Sequence, residues 1–93
     1  MLQLSVKSEE DGSVSAPASL ADLRRGEHGV LEDLDLPEDQ ALRLMELGFL
    51  PGTRITAARS APGGDPRVYR VDGSEFALRR ETAARLKLRR DLP

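Results

Sequence analysis

The sequence predicts a small, mainly β domain, a barrel of about five short strands with one inserted helix. Three observations lead there. Short runs in which apolar and polar residues alternate are separated by breaker-rich turns, in the stretches 53–59, 67–71, 74–79 and 86–89. A single segment, 37–47, carries the period of an amphipathic helix. The dipeptides Pro51-Gly52 and Asp72-Gly73 are of the kind that reverse a chain within two residues. Closing such strands on one another would satisfy sheet edges that otherwise invite aggregation. At 93 residues the chain has room for one domain with a modest core. Aromatics are only 3% of it, so that core must rest on Leu, Val, Ile and Ala around Phe49, Tyr69 and Phe76.

Residues 1–18 read as a tail or a loosely held strand. Leu2, Leu4 and Val6 alternate with polar residues, but Ser8-Glu9-Glu10-Asp11-Gly12-Ser13 is too polar to bury anything. The folded domain is expected over 19–90, with 91–93 as a short C-terminal tail. Leu20 and Leu23 have the spacing of one helical turn or a tight apolar corner. Gly26 and Gly29 bracket Glu27 and His28, so a turn there should deliver the chain into a first strand at 30–34. Leu31 and Leu34 are three apart rather than two, which puts them on opposite faces unless Glu32-Asp33 forms a bulge or the strand ends early.

Over 37–47, Pro stands at a tolerated first-turn position, Glu38 and Asp39 lie near the positive end of the helix dipole, and Gly48 is placed to stop the helix. At 100° per residue Ala41, Leu44, Met45 and Gly48 share one face. Leu42 and Leu47 flank it, and Arg43 and Glu46 form a narrow polar back. The apolar arc is wider than a surface helix needs. Either the helix is unusually buried or part of the arc meets a partner.

Gly48 is expected to be a left-handed cap, and Pro51-Gly52 a type II turn into the strand 53–59. There Ile55 and Ala57 share a face with Thr53 and Arg59, and Arg54, Thr56 and Ala58 point the other way. Ser60 to Pro66 is a breaker-rich loop that is not a phosphate cradle, having neither a Lys-Ser/Thr pair nor a following helix. The hairpin 67–79 turns at Asp72-Gly73, with Tyr69 and Val71 on one face of its first strand and Phe76 and Leu78 together on its second. The stretch 80–85 has room for one helical turn with Glu81 to Ala84 exposed. Leu86 and Leu88 then alternate with Lys87 and Arg89 in a closing strand.

Composition excludes more chemistry than it supports. Without Cys there are no disulfides, thiolate metal sites or cysteine nucleophiles, and the one His28 would need an unusual set of carboxylates to hold a transition metal. No serine has a convincing base besides His28, so catalytic, cofactor and metal residues are all expected to be none. No apolar run is long enough to span a bilayer, and the N-terminus lacks a secretory pattern, so a cytoplasmic location without membrane insertion is expected. Residues 1–50 hold four basic and eleven acidic side chains, while residues 51–93 hold ten basic and five acidic ones. That asymmetry suits an electrostatically oriented partner, and it suits equally two differently charged solvated faces. The basic residues Arg79-Arg80 and Arg85-Lys87-Arg89-Arg90 could touch phosphates. Only Tyr69 and Phe76 could stack on bases there, however, and no helix-turn-helix is visible, so direct nucleic-acid binding is not expected.

The order and spacing of several short motifs resemble the FeoA family. They run from Leu20-Ala21-Asp22-Leu23-Arg24-Arg25-Gly26, through Leu47-Gly48 and Pro51-Gly52 within Leu44 to Thr53, to Gly64-Asp65-Pro66 and then Phe76-Ala77-Leu78-Arg79-Arg80-Glu81-Thr82-Ala83. The resemblance covers roughly 19–90. It implies an SH3-like barrel with the helix between its first and second strands, and an accessory or regulatory role in bacterial ferrous iron uptake. The implied partner is the cytoplasmic region of a FeoB-type membrane transporter with a GTP-binding domain. The implied location is the cytoplasm, reaching the inner membrane through that partner. A free-standing SH3-like adaptor, or a repressor-associated module that binds a peptide or protein, is the alternative. The candidate partner surface is Leu42, Arg43, Leu44, Met45, Glu46, Leu47, Phe49 and Leu50, an apolar anchor with charged neighbours. Gly26, Gly29, Gly48, Pro51, Gly52, Asp72 and Gly73 are expected to be structural turn residues.

Overall fold

The computed structural model describes residues 17–89. Most of the predicted tail 1–18, and all of 91–93, lie outside the described residues. Among the described residues five strands and two α-helices follow in order: β1 (His28–Leu34), α1 (Glu38–Leu47), β2 (Arg54–Ser60), β3 (Arg67–Val71), β4 (Ser74–Leu78), α2 (Arg80–Ala83) and β5 (Leu86–Leu88). The strands form one antiparallel sheet in the order β4-β3-β2-β1-β5. The hydrogen-bonded ladder ends at β4 on one side and β5 on the other, with no pairing between those two among the described residues.

The irregular spacing of Leu31 and Leu34 is resolved by a bulge. Up to Val30, β1 pairs with β2; from Leu31 it pairs with β5, and the register slips between Leu31 and Asp33. The extra residue bends the strand as it changes partners and returns both leucines to the core side. β1 begins two residues earlier than expected, which corrects the assignment of Gly29 to a turn. Gly29 is a strand residue paired with Ile55, and a Cβ there would come within 2.8 Å of Leu88 Cδ1. Its missing side chain leaves room for the Leu88 side chain of the neighbouring strand β5. The turn belongs to Gly26 alone, with φ 90° and the Glu27 amide donating to the Arg24 carbonyl at 2.8 Å.

A second register slip, between Ala57 and Arg59 on β2, ends the alternation that would have driven Arg59 inward. Arg59 instead lies exposed and pairs with Glu75 at 3.0 Å. The hairpin β3–β4 turns at Asp72 (φ 52°) and Gly73 (φ 85°), the left-handed pair of a tight hairpin turn. One more expectation is corrected. Ala83, expected to be exposed on α2, is fully buried, because the helical turn packs against the Leu20–Asp22 corner and turns this small residue into the core.

Leu20 and Leu23 form the apolar corner, a 3-10 turn at Leu20–Asp22, and both are buried. This corner ties β5, at one end of the sheet, to β3, which lies next to the other end. On the β5 side Ser19 bridges to Lys87 and the Leu88 amide donates to the Ala18 carbonyl at 2.9 Å. On the β3 side the Arg67 guanidinium donates to the carbonyls of Ala21 (3.1 Å) and Leu23 (2.7 Å), and the Tyr69 hydroxyl donates to the Leu20 carbonyl at 3.0 Å.

Burial pushes the Tyr69 phenol above its usual pKa of 10.0, against a partial opposing pull from the Arg67 guanidinium beside it. A raised folded-state pKa means that the folded protein holds this proton more tightly. The associated stability is complete below pH 10 and is lost as pH rises through the folded value. Tyr69→Phe should therefore cost about 1 kcal/mol near neutrality, because the Leu20 carbonyl keeps a second donor in the Leu23 amide. It should also flatten the decline in stability above pH 10. Urea denaturation at pH 7 and pH 10.5 measures both, and an unchanged alkaline slope would count against the buried hydrogen bond.

Candidate functional site

The helix α1 brings most of the sequence-predicted surface together. Pro37 (φ −54°) stands just outside its N-terminus, Glu38 and Asp39 occupy the first turn, and the Ala41 amide returns to the Pro37 carbonyl at 2.9 Å. At the other end Gly48 is left-handed, with φ 116° and ψ 0°. Its amide donates to the Met45 carbonyl at 3.0 Å, and the Phe49 amide donates to the Leu44 carbonyl at 3.1 Å. Those two bonds make a Schellman motif, whose usual apolar contact joins the residue after the glycine to the residue four places before it. Here these are Phe49 and Leu44.

That motif corrects two members of the predicted partner surface. Phe49 is 0% exposed and Leu44 8%, and both belong to the core, where the Phe49 and Phe76 rings sit 5.7 Å apart and tilted by 59°. Met45 is half-buried and packs against the same core. The other members face outward. Leu42 is 51% exposed, Leu47 44% and Leu50 46%, and Arg43 and Glu46 are exposed with them. Around the helix axis Leu42 and Leu47 are about 140° apart, and Glu46 and Arg43 fall between them. The outer surface of α1 is thus a charged seam between two leucines, continued past the helix end by Leu50.

Leu50 also edges a shallow groove of about 570 Å³ in which Thr53, Arg54 and Arg70 line the wall toward β2 and β3. Sequence reasoning did not single out these residues. The outward phase of Arg54 on an amphipathic strand was readable, but its position beside Leu50 depends on how Pro51-Gly52 folds the strand back. That turn is tight: Gly52 has φ 93°, and the Thr53 amide donates to the Leu50 carbonyl at 3.0 Å. The left-handed residue after a proline is the arrangement of a type II turn.

Elsewhere on the sheet, Glu75 accepts from Arg70 at 2.9 Å and pairs with Arg59 at 3.0 Å. The hydrogen bonds from Arg70 and then Arg59 hold its carboxyl below the usual range. The two strand-borne aromatics that might have stacked on bases are turned inward, Tyr69 fully and Phe76 against the core. His28 is exposed at the start of β1. Among the described residues no three His, Asp or Glu side chains converge, and no helix is long and apolar enough to cross a membrane.

The FeoA domain family matches residues 18–90. Over 69 residues the chain is 33% identical to the Fe(2+) transport protein A/Fe(2+) transporter FeoB fusion protein of Porphyromonas gingivalis, a match that takes in 74% of this chain and 8% of that protein. The chain therefore corresponds to a small part of that fusion. The solution structure of the FeoA protein from Chlorobium tepidum is similar with a TM-score of 0.70 and 28% identity, over 73% of this chain and 65% of that one. The crystal structure of Stenotrophomonas maltophilia FeoA complexed with zinc, a procaryotic SH3 domain protein, is similar with a TM-score of 0.66 and 31% identity, over 78% of this chain and 91% of that one.

Proposed function

The chain belongs to the FeoA family, and from that membership we propose that it is an accessory protein of bacterial ferrous iron uptake, acting by contact with the cytoplasmic side of a FeoB-type transporter. FeoA domains are non-catalytic accessory modules, so the work of this chain is binding. The fusion of an A component to FeoB in the Porphyromonas gingivalis relative supports the pairing, because a single polypeptide holds the two at high effective concentration. In this reading the transporter hydrolyses nucleotide, and this chain, which has no phosphate-binding loop, contributes a surface. With no Cys and one His, it acts on transporter assembly or opening rather than through an iron site of its own.

The docking surface in this proposal is the exposed part of the predicted set: Leu42, Arg43, Glu46, Leu47 and Leu50. The observation that carries it is the roughly half-exposed state of three leucines on and just after one short helix, beside charged neighbours that can orient a partner. Leu42→Asp and Leu50→Asp should leave the denaturation midpoint within about 0.5 kcal/mol of the parent, as surface changes do. The same variants should lose binding to the purified transporter and fail to restore iron uptake in a strain lacking the gene. Normal uptake under iron limitation in the deletion strain itself would remove the transport role. Unfolding of the variants would place these leucines in the core instead.

A further inference from the structure

Among the described residues the outer edge of β4 is an unfilled strand position: Ser74–Leu78 pairs there with β3 on one side only. In a hairpin with a two-residue turn, alternate residues send their backbone groups inward to the partner strand and outward to the edge. Val71 and Ser74 flank the turn and face each other, so Glu75 and Ala77 are the residues that point outward. Both are exposed, and among the described residues neither backbone amide has a hydrogen-bond partner. Native edges of this length are usually blunted by a lysine, a proline or an inward charge. β4 carries no lysine and no proline, and its one charged residue faces outward.

Beside this edge runs a shallow groove of about 430 Å³ that separates β4 from α1. Leu44, Ala77 and Leu78 supply its apolar lining, and Arg43 and Arg79 stand on its two sides. The surroundings of the edge are positive. The one carboxylate on β4, Glu75, is already matched, with one oxygen on Arg59 and the other on Arg70. Among the described residues that line the groove, only Asp39 opposes Arg43 and Arg79.

We propose that the β4 edge is a second binding site, which takes an extended acidic segment of a partner protein as an added antiparallel strand. The backbone of the incoming segment pairs with Glu75 and Ala77. Its apolar side chains lie over Leu44 and Leu78, and its carboxylates meet Arg43 and Arg79. Main-chain bonds supply the affinity, and the arginines select against basic and neutral strands. The site shares Arg43 with the proposed α1 surface but uses none of its exposed leucines Leu42, Leu47 and Leu50, and it stands whether or not those leucines dock a transporter.

The test is nuclear magnetic resonance of the full-length, isotope-labelled chain titrated with a capped hexapeptide alternating valine with glutamate, and in parallel with its valine-lysine counterpart. Saturable shifts along 74–79 with the glutamate peptide only, with exchange of the Glu75 and Ala77 amides slowed by about tenfold or more, are the expected result. The double variant Arg43→Glu with Arg79→Glu, both exposed positions, should weaken that binding by about tenfold or more while leaving the rest of the spectrum in place. Equal binding of both peptides, or no shift at millimolar peptide, would overturn the proposal. So would amides already protected in the free protein: if deleting residues 1–16 releases them, the edge is filled by the chain's own N-terminus, and if dilution releases them, it is filled by a second copy.

Discussion

Phe49→Ala is expected to destabilise the domain by about 3–5 kcal/mol, the usual cost of deleting a buried aromatic side chain. The ring is fully enclosed and packs on Phe76. In a chain with only two phenylalanines and one tyrosine, no other large side chain can collapse into the space. The substitution also loosens the helix end, since Phe49 is the apolar half of the contact that closes α1 against Leu44. For a domain of this size the loss is a large part of the total stability, so the variant should be partly unfolded at 37 °C. Urea denaturation measures it. A change below about 1 kcal/mol would show that Phe49 belongs to the surface after all, and would return it to the docking face.

Gly48→Val is expected to cost about 2 kcal/mol, and more than Gly52→Val. At both positions φ is strongly positive, which penalises any side chain by about 1–2 kcal/mol. At Gly48 there is a second obstacle, because an added Cβ would lie 3.3 Å from Val71 Cγ1, whereas at Gly52 it would meet open space. Val71 is itself buried on β3 and has little room to yield. The comparison between the two glycines is therefore the informative measurement. Equal losses in a denaturation series would mean that the backbone term alone governs both sites and that α1 does not approach β3 as closely as described.

Gly48, Pro51-Gly52 and Asp72-Gly73 were legible in the sequence because each carries its own local chemistry: a cap, a proline-led turn and a left-handed pair. The bulge in β1 was legible for the same kind of reason, since Leu31 and Leu34 cannot both face a core from a regular strand. What escaped depends on partners distant in the chain. The width of the apolar arc on α1 does not tell which of its leucines the sheet covers, and Leu44 and Phe49 are indistinguishable there from the exposed Leu42, Leu47 and Leu50. Ala83 gives no sign of burial, being small and placed on a four-residue helix whose inner side is set by the distant Leu20–Asp22 corner. Gly29 looked like a turn residue because the close approach of Leu88 lies almost sixty positions away in sequence. Arg67 read as an ordinary strand residue, and its two bonds to the carbonyls of Ala21 and Leu23 follow no local pattern.

The tie around Leu20 also bears on the order in which the chain can fold. Residues 18 and 19 settle against Lys87 and Leu88, and the second half of β1 pairs with the same short strand. Contacts that span so much sequence require a long loop to close before they return any stability. On a ribosome, the hairpin β3–β4 has both of its strands together as soon as it emerges. The segment around Ser19, although made well before its partner, has no complete site until 86–88 have left the exit tunnel, so a nascent chain stalled before that point should hold the corner at Leu20–Asp22 open to proteases.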